Sequence, residues 1–188
     1  MNSKIFIISG PSGVGEDSII EGLKKHFEIE QVITSTTRSM RPGEEQGKPY
    51  YFLSRDEFEE KIKNNELAEW ALQYNDNLYG VTKDELRRVE KSGKIGIWKI
   101  EYKGVMSVKN KYPEIKSIYI VPPSLEILKT RILRRDPNVS GKYLKERMAY
   151  TKEWMKHEDI YDYKVVNEEG KLDEAIEKVV EIIKNEPR

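Results

Sequence analysis

The 188-residue sequence predicts an α/β fold built on a parallel sheet. Three observations carry that expectation. Short apolar runs, KIFIIS (4–9), KIGIWKI (94–100) and IYIV (118–121), lack the strict alternation of a half-exposed strand and suit strands covered on both faces. Helical spacing follows each run, which is the order of βαβ units. The first run passes straight into GPSGVG (10–15), a G-x-x-x-x-G turn between strand and helix.

The elements follow in order. Gly10 and Pro11 end the first strand, and Ile19, Ile20 and Leu23 repeat at helical spacing through EDSIIEGLKKHF (16–27). Residues 34–54 are polar and turn-rich, close on a strand-like Tyr50-Tyr51-Phe52, and read as an inserted segment in place of a crossover helix. Ser54 caps a helix with Glu57 placed for a capping box. Residues 66–79 predict strand and turn, and Thr82 caps a helix that Gly93 ends. Pro122 and Pro123 mark the exit from the third buried strand, after which Arg131 and Arg135, four residues apart, share one helical face. Residues 136–142 are a loop. The helix over 143–157 aligns Leu144, Met148, Thr151 and Met155 as a core stripe. Val165 and Val166 form a last short strand, and the closing helix sets Leu172, Ile176, Val179 and Ile183 on one face.

Composition narrows the function. The length suits one domain. Lys+Arg and Asp+Glu number 33 each, so overall charge offers no case for a nucleic-acid or membrane partner. The N-terminal apolar run is far shorter than the ~20 residues of a membrane span, and too short for a signal peptide core. With no cysteine there is no disulfide, thiolate site or cysteine nucleophile, and the expected location is the cytoplasm. His26 and His157 are the only histidines; both read as solvated, which argues against a histidine metal cluster or a Ser-His-Asp triad.

Backbone N–H groups in a glycine loop, backed by a helix N-terminus, favour an anion without any side chain. A phosphate loop, however, wants lysine and a hydroxyl where this chain has Glu16 and Asp17. The surrounding stretches ISGPSGVG, STTRSMRPGEEQGKPYYF, ELAEW, LYG, PPS and R-x-x-x-R stand in the order and spacing of the guanylate kinases, which the chain resembles over nearly its whole length. The resemblance implies a P-loop kinase: a three-layer parallel-sheet core (1–33, 83–125 and 152–188), an inserted mixed-sheet GMP-binding domain (34–82) and a helical lid (126–151). It implies phosphoryl transfer from ATP to GMP, with Mg²⁺, both nucleotides being small-molecule partners.

By that resemblance Arg38, Arg41, Tyr50 and Tyr79 hold the GMP phosphate, a task suited to guanidinium forks and phenols, and Glu44 stands in their network. Glu69 and Thr34 match base-reading positions, and Glu101 is placed with the GMP-binding residues. Val81 stands where the family usually has Ser or Thr, a loss of one neutral hydrogen bond worth roughly 0.5–1.5 kcal/mol. Gly10, Pro11, Ser12, Gly13, Val14, Gly15, Glu16, Asp17 and Ser18 form the ATP loop, and Asn167 falls near the adenine. Arg131, Arg135 and Arg147, together with Arg38, match residues that clamp the transferring group.

Two departures oppose each other in sign. A carboxylate 4 Å from a phosphate costs on the order of 4 kcal/mol at an effective dielectric near 20, so Glu16 cannot simply replace a lysine. Across the site, Lys99-Ile100-Glu101 stands where the family reads D-I-D, so Lys99 replaces an acid. The expectation is a charge exchange: Lys99 supplies the ammonium, Glu16 pairs with it or with the lid, and Asp17 offers Mg²⁺ a hard oxygen. The rival reading is a decayed loop, whose acids merely stabilise the helix start, on a silent module that binds GMP or a phosphorylated peptide. A kinase for another small phosphate acceptor is a third reading, suggested by Val81 and opposed by Glu69.

Overall fold

The computed structural model describes residues 5–72 and 76–187. Lys4 of the first expected strand and residues 73–75 of the expected strand-and-turn segment lie outside them. The first sheet contains β1 (Ile5–Ser9), β2 (Ile29–Gln31), β8 (Ile95–Lys99), β9 (Lys116–Val121) and β10 (Tyr163–Val166). Its order is β10-β9-β1-β8-β2, and every pairing is parallel.

Alternation along β1 explains why its sequence reads as continuously apolar. Phe6 and Ile8 enter one core with Ile19, Leu23, Leu128 and Val179, while Ile5 and Ile7 enter the other with Leu86, Val105 and Trp154. The sheet is thus covered by α1 (Glu16–Leu23), α5 (Leu125–Arg135) and α7 (Leu172–Asn185) on one side. On the other lie α3 (Lys83–Lys91), α4 (Tyr102–Lys111) and the end of α6 (Gly141–Met155). The result is the three-layer α/β arrangement.

The second sheet is mixed, as the resemblance implied, and all its strands come from the inserted segment. It joins β3 (Thr34–Thr36), β4 (Glu45–Gln46), β5 (Pro49–Phe52), β6 (Leu67–Leu72) and β7 (Leu78–Thr82) in the order β4-β5-β3-β7-β6. β3 runs parallel to β5 and antiparallel to β7. Between β5 and β6, α2 (Arg55–Lys63) begins with the expected Ser54–Glu57 capping box. Strands β2, β3 and β4 are too short to show a period and have no counterpart in the sequence reading.

Three local expectations need correction. The first helix stops at Leu23, because residues 24–26 carry no apolar side chain to extend the stripe and the chain tightens into turns with Lys24 and Lys25 donating three residues back. α6 starts at Gly141, where the Ser140 hydroxyl accepts from Tyr143 N–H, and it buries Trp154 where Met155 was expected. His157 is not simply solvated: its ring stacks on Tyr102 with centroids 4.8 Å apart.

A buried acid ties the two sheets together. Glu85 on α3 accepts from Ile33 N–H (2.8 Å), from Arg88 Nη2 and Nε (2.8 and 2.9 Å) and from the Tyr51 hydroxyl of β5 (3.3 Å). Removing it strands those donors. Glu85→Ala is expected to lower stability by about 1–3 kcal/mol, read as a reduced urea midpoint at unchanged slope, with Glu85→Gln milder.

Candidate active site

The glycine loop joins β1 to α1. A side chain at Gly10 would meet the Ile120 carbonyl at 2.6 Å, so the close approach of loop to β9 demands glycine there. Gly15, the residue before α1, has φ of 99°, a left-handed conformation that swings the chain into the helix. Val14 is fully buried and anchors the loop in the core. Among the described residues, the Gly13 and Gly15 N–H groups donate to no backbone acceptor, as an anion cradle requires. Ser12 lies against Arg135 (Nη2 to Oγ, 3.4 Å), whereas Ser18 is exposed on α1.

Register places the displaced lysine. Ile8 of β1 stands beside Lys99 at the end of β8, so the side chain emerges next to the loop. Lys99 Nζ donates to Asp17 Oδ1 at 2.6 Å. Glu16 was expected to pair with Lys99 or with the lid; the ion pair Lys99 forms is with Asp17. Burial works against the charged lysine, but Asp17 and Glu16 outweigh it and hold the ammonium above lysine's usual range. Both side chains of the pair remain substantially exposed, 48% and 84%, so it is weak and readily exchanged for a phosphate.

Glu16 is pushed up to about 8, first by burial and then by the neighbouring Asp17 and Glu101 carboxylates, against the pull of Lys99 and the Gly10 N–H. The shift favours the neutral acid, which lessens the repulsion that a charged Glu16 would exert on a phosphate. Glu101 is held separately by the Tyr150 hydroxyl of α6 at 2.7 Å.

The inserted sheet supplies a second cluster. Arg38 Nη2 donates to both Glu44 oxygens at 2.8 and 2.9 Å, and Arg41 N–H donates to the same carboxylate at 2.8 Å. That carboxylate is lowered chiefly by Arg38. The guanidinium of Arg38 lies 5.4 Å from the ring centre of Tyr50, which makes an edge contact with Tyr79 at 5.9 Å. Four of the expected phosphate-side residues, Arg38, Glu44, Tyr50 and Tyr79, thus form one assembly; the Arg41 side chain is exposed. Thr34, Tyr50, Asp17 and Lys99 line one cleft, which runs from Tyr50 of this cluster to the first turn of α1 and the end of β8.

Glu69 is only 4% exposed, and no side-chain hydrogen bond or ion pair reaches its carboxylate among the described residues. Burial pushes it up to about 7, with Lys111 opposing. A Cβ at Gly104 would sit 3.3 Å from its Oε2, so a glycine in α4 leaves room beside the acid. Such an acceptor suits paired N–H donors on a ligand. Val81 pairs with Glu69 across β6 and β7, but its side chain is fully buried in the apolar core. Val81→Thr puts a hydroxyl into that apolar core and is expected to lower stability by about 1–3 kcal/mol, read as a reduced urea midpoint.

The arginines of the third group separate. Arg131 reaches the loop, donating to the Val14 and Asn167 carbonyls, whereas Arg147 lies over the Tyr143 ring and donates to its hydroxyl. Asn167, which the resemblance sets near an adenine, donates its amide to the Val14 carbonyl at 2.7 Å. Tyr150 and Gly104 carry no sequence signal, because their importance depends on which carboxylate folding brings to them.

The guanylate kinase family model matches residues 2–186. The chain belongs to the guanylate kinase family. It is 40% identical to the guanylate kinase of Idiomarina loihiensis over 168 residues, covering 88% of this chain and 79% of that one. Against the guanylate kinase of Clostridium tetani the identity is 38% over 182 residues, covering 97% and 86%. The crystal structure of guanylate kinase from Anaplasma phagocytophilum superposes with a TM-score of 0.71 at 29% identity, covering 97% of this chain and 85% of that one.

Proposed function

We propose that the chain transfers the γ-phosphoryl group of MgATP to GMP, giving ADP and GDP. The observation that carries this reading is the cleft in which Lys99 and Asp17, in the first turn of the helix that follows the glycine loop, adjoin Thr34 and Tyr50. Arg38, Arg41, Tyr50 and Tyr79 bind the acceptor phosphate, with Glu44 orienting Arg38. Glu69, Thr34 and Glu101 read the guanine. The loop residues 10–18 receive the donor phosphates on backbone N–H groups, and Lys99 leaves Asp17 to neutralise charge on the group in transit. Arg135 and Arg147 belong to the part of the lid, residues 126–151, that closes over the transfer, while Arg131, on α5 packed against the sheet, stays at the loop.

No nucleophilic side chain is needed, since catalysis here is positioning and charge neutralisation. Magnesium bound to a triphosphate keeps several waters and needs only one or two protein oxygens. The exposed Asp17 carboxylate, freed when Lys99 turns to the phosphates, would offer such an oxygen. When bound, the ion neutralises phosphate charge. No helix among the described residues is long and apolar enough to cross a membrane, and we place the reaction in the cytoplasm.

A coupled assay of ADP formation from ATP and Mg²⁺ with GMP, AMP, CMP or UMP tests the proposal. Turnover is expected with GMP alone. Tight GMP binding without ADP formation would favour the silent module, and equal use of AMP would refute the assignment of Glu69.

A further inference from the structure

Resting on the reading of loop 10–18 as the donor phosphate site, we infer that Asn167 and Arg131 act as positioning residues. They form a bracket that holds the loop in its phosphate-binding shape, and Asn167 does not read the donor base. The bracket is built from groups already committed to one another. Asn167, only 5% exposed at the end of β10, donates from Nδ2 to the Val14 carbonyl at 2.7 Å. Its own backbone N–H is taken by the Val121 carbonyl at 3.0 Å. Arg131 spans the same corner: Nη2 donates to the Asn167 carbonyl at 3.0 Å, Nη1 approaches the Val14 carbonyl at 3.4 Å, and Nε is held by Glu169 at 2.9 Å.

Peptide geometry turns this contact into an effect on the loop. In a trans peptide the C=O and N–H groups point in opposite directions, so fixing the Val14 carbonyl on Asn167 aims the Gly15 N–H away from it. That N–H has no backbone acceptor among the described residues. The fit is close: a methyl group at Gly15 would lie 2.5 Å from Asn167 Nδ2. In a loop of this kind a lysine ordinarily reaches the bound phosphates. Here that position is Glu16, and the bracket grips the loop from outside, leaving its N–H groups to the anion.

Inorganic tripolyphosphate, which has no base, separates holding the loop from reading adenine. In Asn167→Asp, which keeps the size but loses the donor, and in Asn167→Ser, inhibition by tripolyphosphate is expected to weaken roughly 3–10-fold. The KM for ATP should rise by the same factor, while the KM for GMP and the preference for ATP over GTP stay as in the wild type. The unchanged KM for GMP also reports an intact fold. Unaltered tripolyphosphate inhibition with a collapsed ATP-over-GTP preference would overturn the inference and return Asn167 to the adenine. If the wild type binds neither tripolyphosphate nor ATP, the donor-site reading fails first, and the bracket fails with it.

Discussion

Glu69→Gln is expected to lower kcat/KM for GMP by about 100-fold, because two hydrogen bonds to a buried carboxylate, each worth about 1.5–3 kcal/mol, lose their charge assistance and one meets an amide N–H₂. In the proposed role the acid must be ionised to accept both guanine donors. Since burial pushes Glu69 up to about 7, the KM for GMP in the wild type should rise as pH falls below 7, and this dependence should vanish in the variant. Stability should move the opposite way. The folded value lies above the unfolded 4.5, so the folded protein binds the proton more tightly and the acid costs stability as pH rises from 4.5 to 7. Above pH 7 the variant should be the more stable, by up to the order of 3 kcal/mol. Steady-state kinetics and thermal unfolding across pH 5–8 check both. A variant that loses stability at pH 7.5 along with activity would show that Glu69 is a structural acid.

Lys99→Ala is expected to reduce kcat by about 10²–10³, the usual cost of removing a group aimed at charge that develops in transfer. Part of that loss has a second origin. Without the ammonium, Asp17 is left as an uncompensated carboxylate beside the donor phosphates, 2.6 Å from where Nζ had been. Because the same carboxylate is proposed to meet Mg²⁺, Asp17→Asn is expected to be slow on its own. The double variant Lys99→Ala with Asp17→Asn should be faster than the product of the two single losses, a non-additivity expected of groups in direct contact. If the double variant is as slow as the product of the two single losses, the pair is incidental.

Much of this was legible in the sequence, for identifiable reasons. β1 and β8 are covered on both faces, so their runs are apolar throughout, and the glycines of the loop mark a close approach to Ile120 and a left-handed turn. The Ser54–Glu57 box and the Thr82 cap are local chemistry and needed no tertiary information. The grouping of Arg38, Glu44, Tyr50 and Tyr79 was legible because these residues fall within one inserted segment. What escaped depends on register and on distant helices. The choice between Glu16 and Asp17 as the partner of Lys99 is made by which side of α1 faces the end of β8, across 82 positions of sequence. The contact of Tyr150 with Glu101 and the commitment of Asn167 to Val14 likewise arise only when separate elements are packed. β2 and β3, three residues each, are strands because neighbours pair with them.

The central claim is that the loop's charge has moved across the site and still serves transfer. Restoring the family's arrangement tests it most directly, through ATP-to-GMP turnover of Lys99→Asp alone and combined with Glu16→Lys. The account predicts that the single variant is nearly inactive and that adding the lysine at position 16 brings turnover back to within about tenfold of the wild type. Undiminished turnover in Lys99→Asp would contradict it.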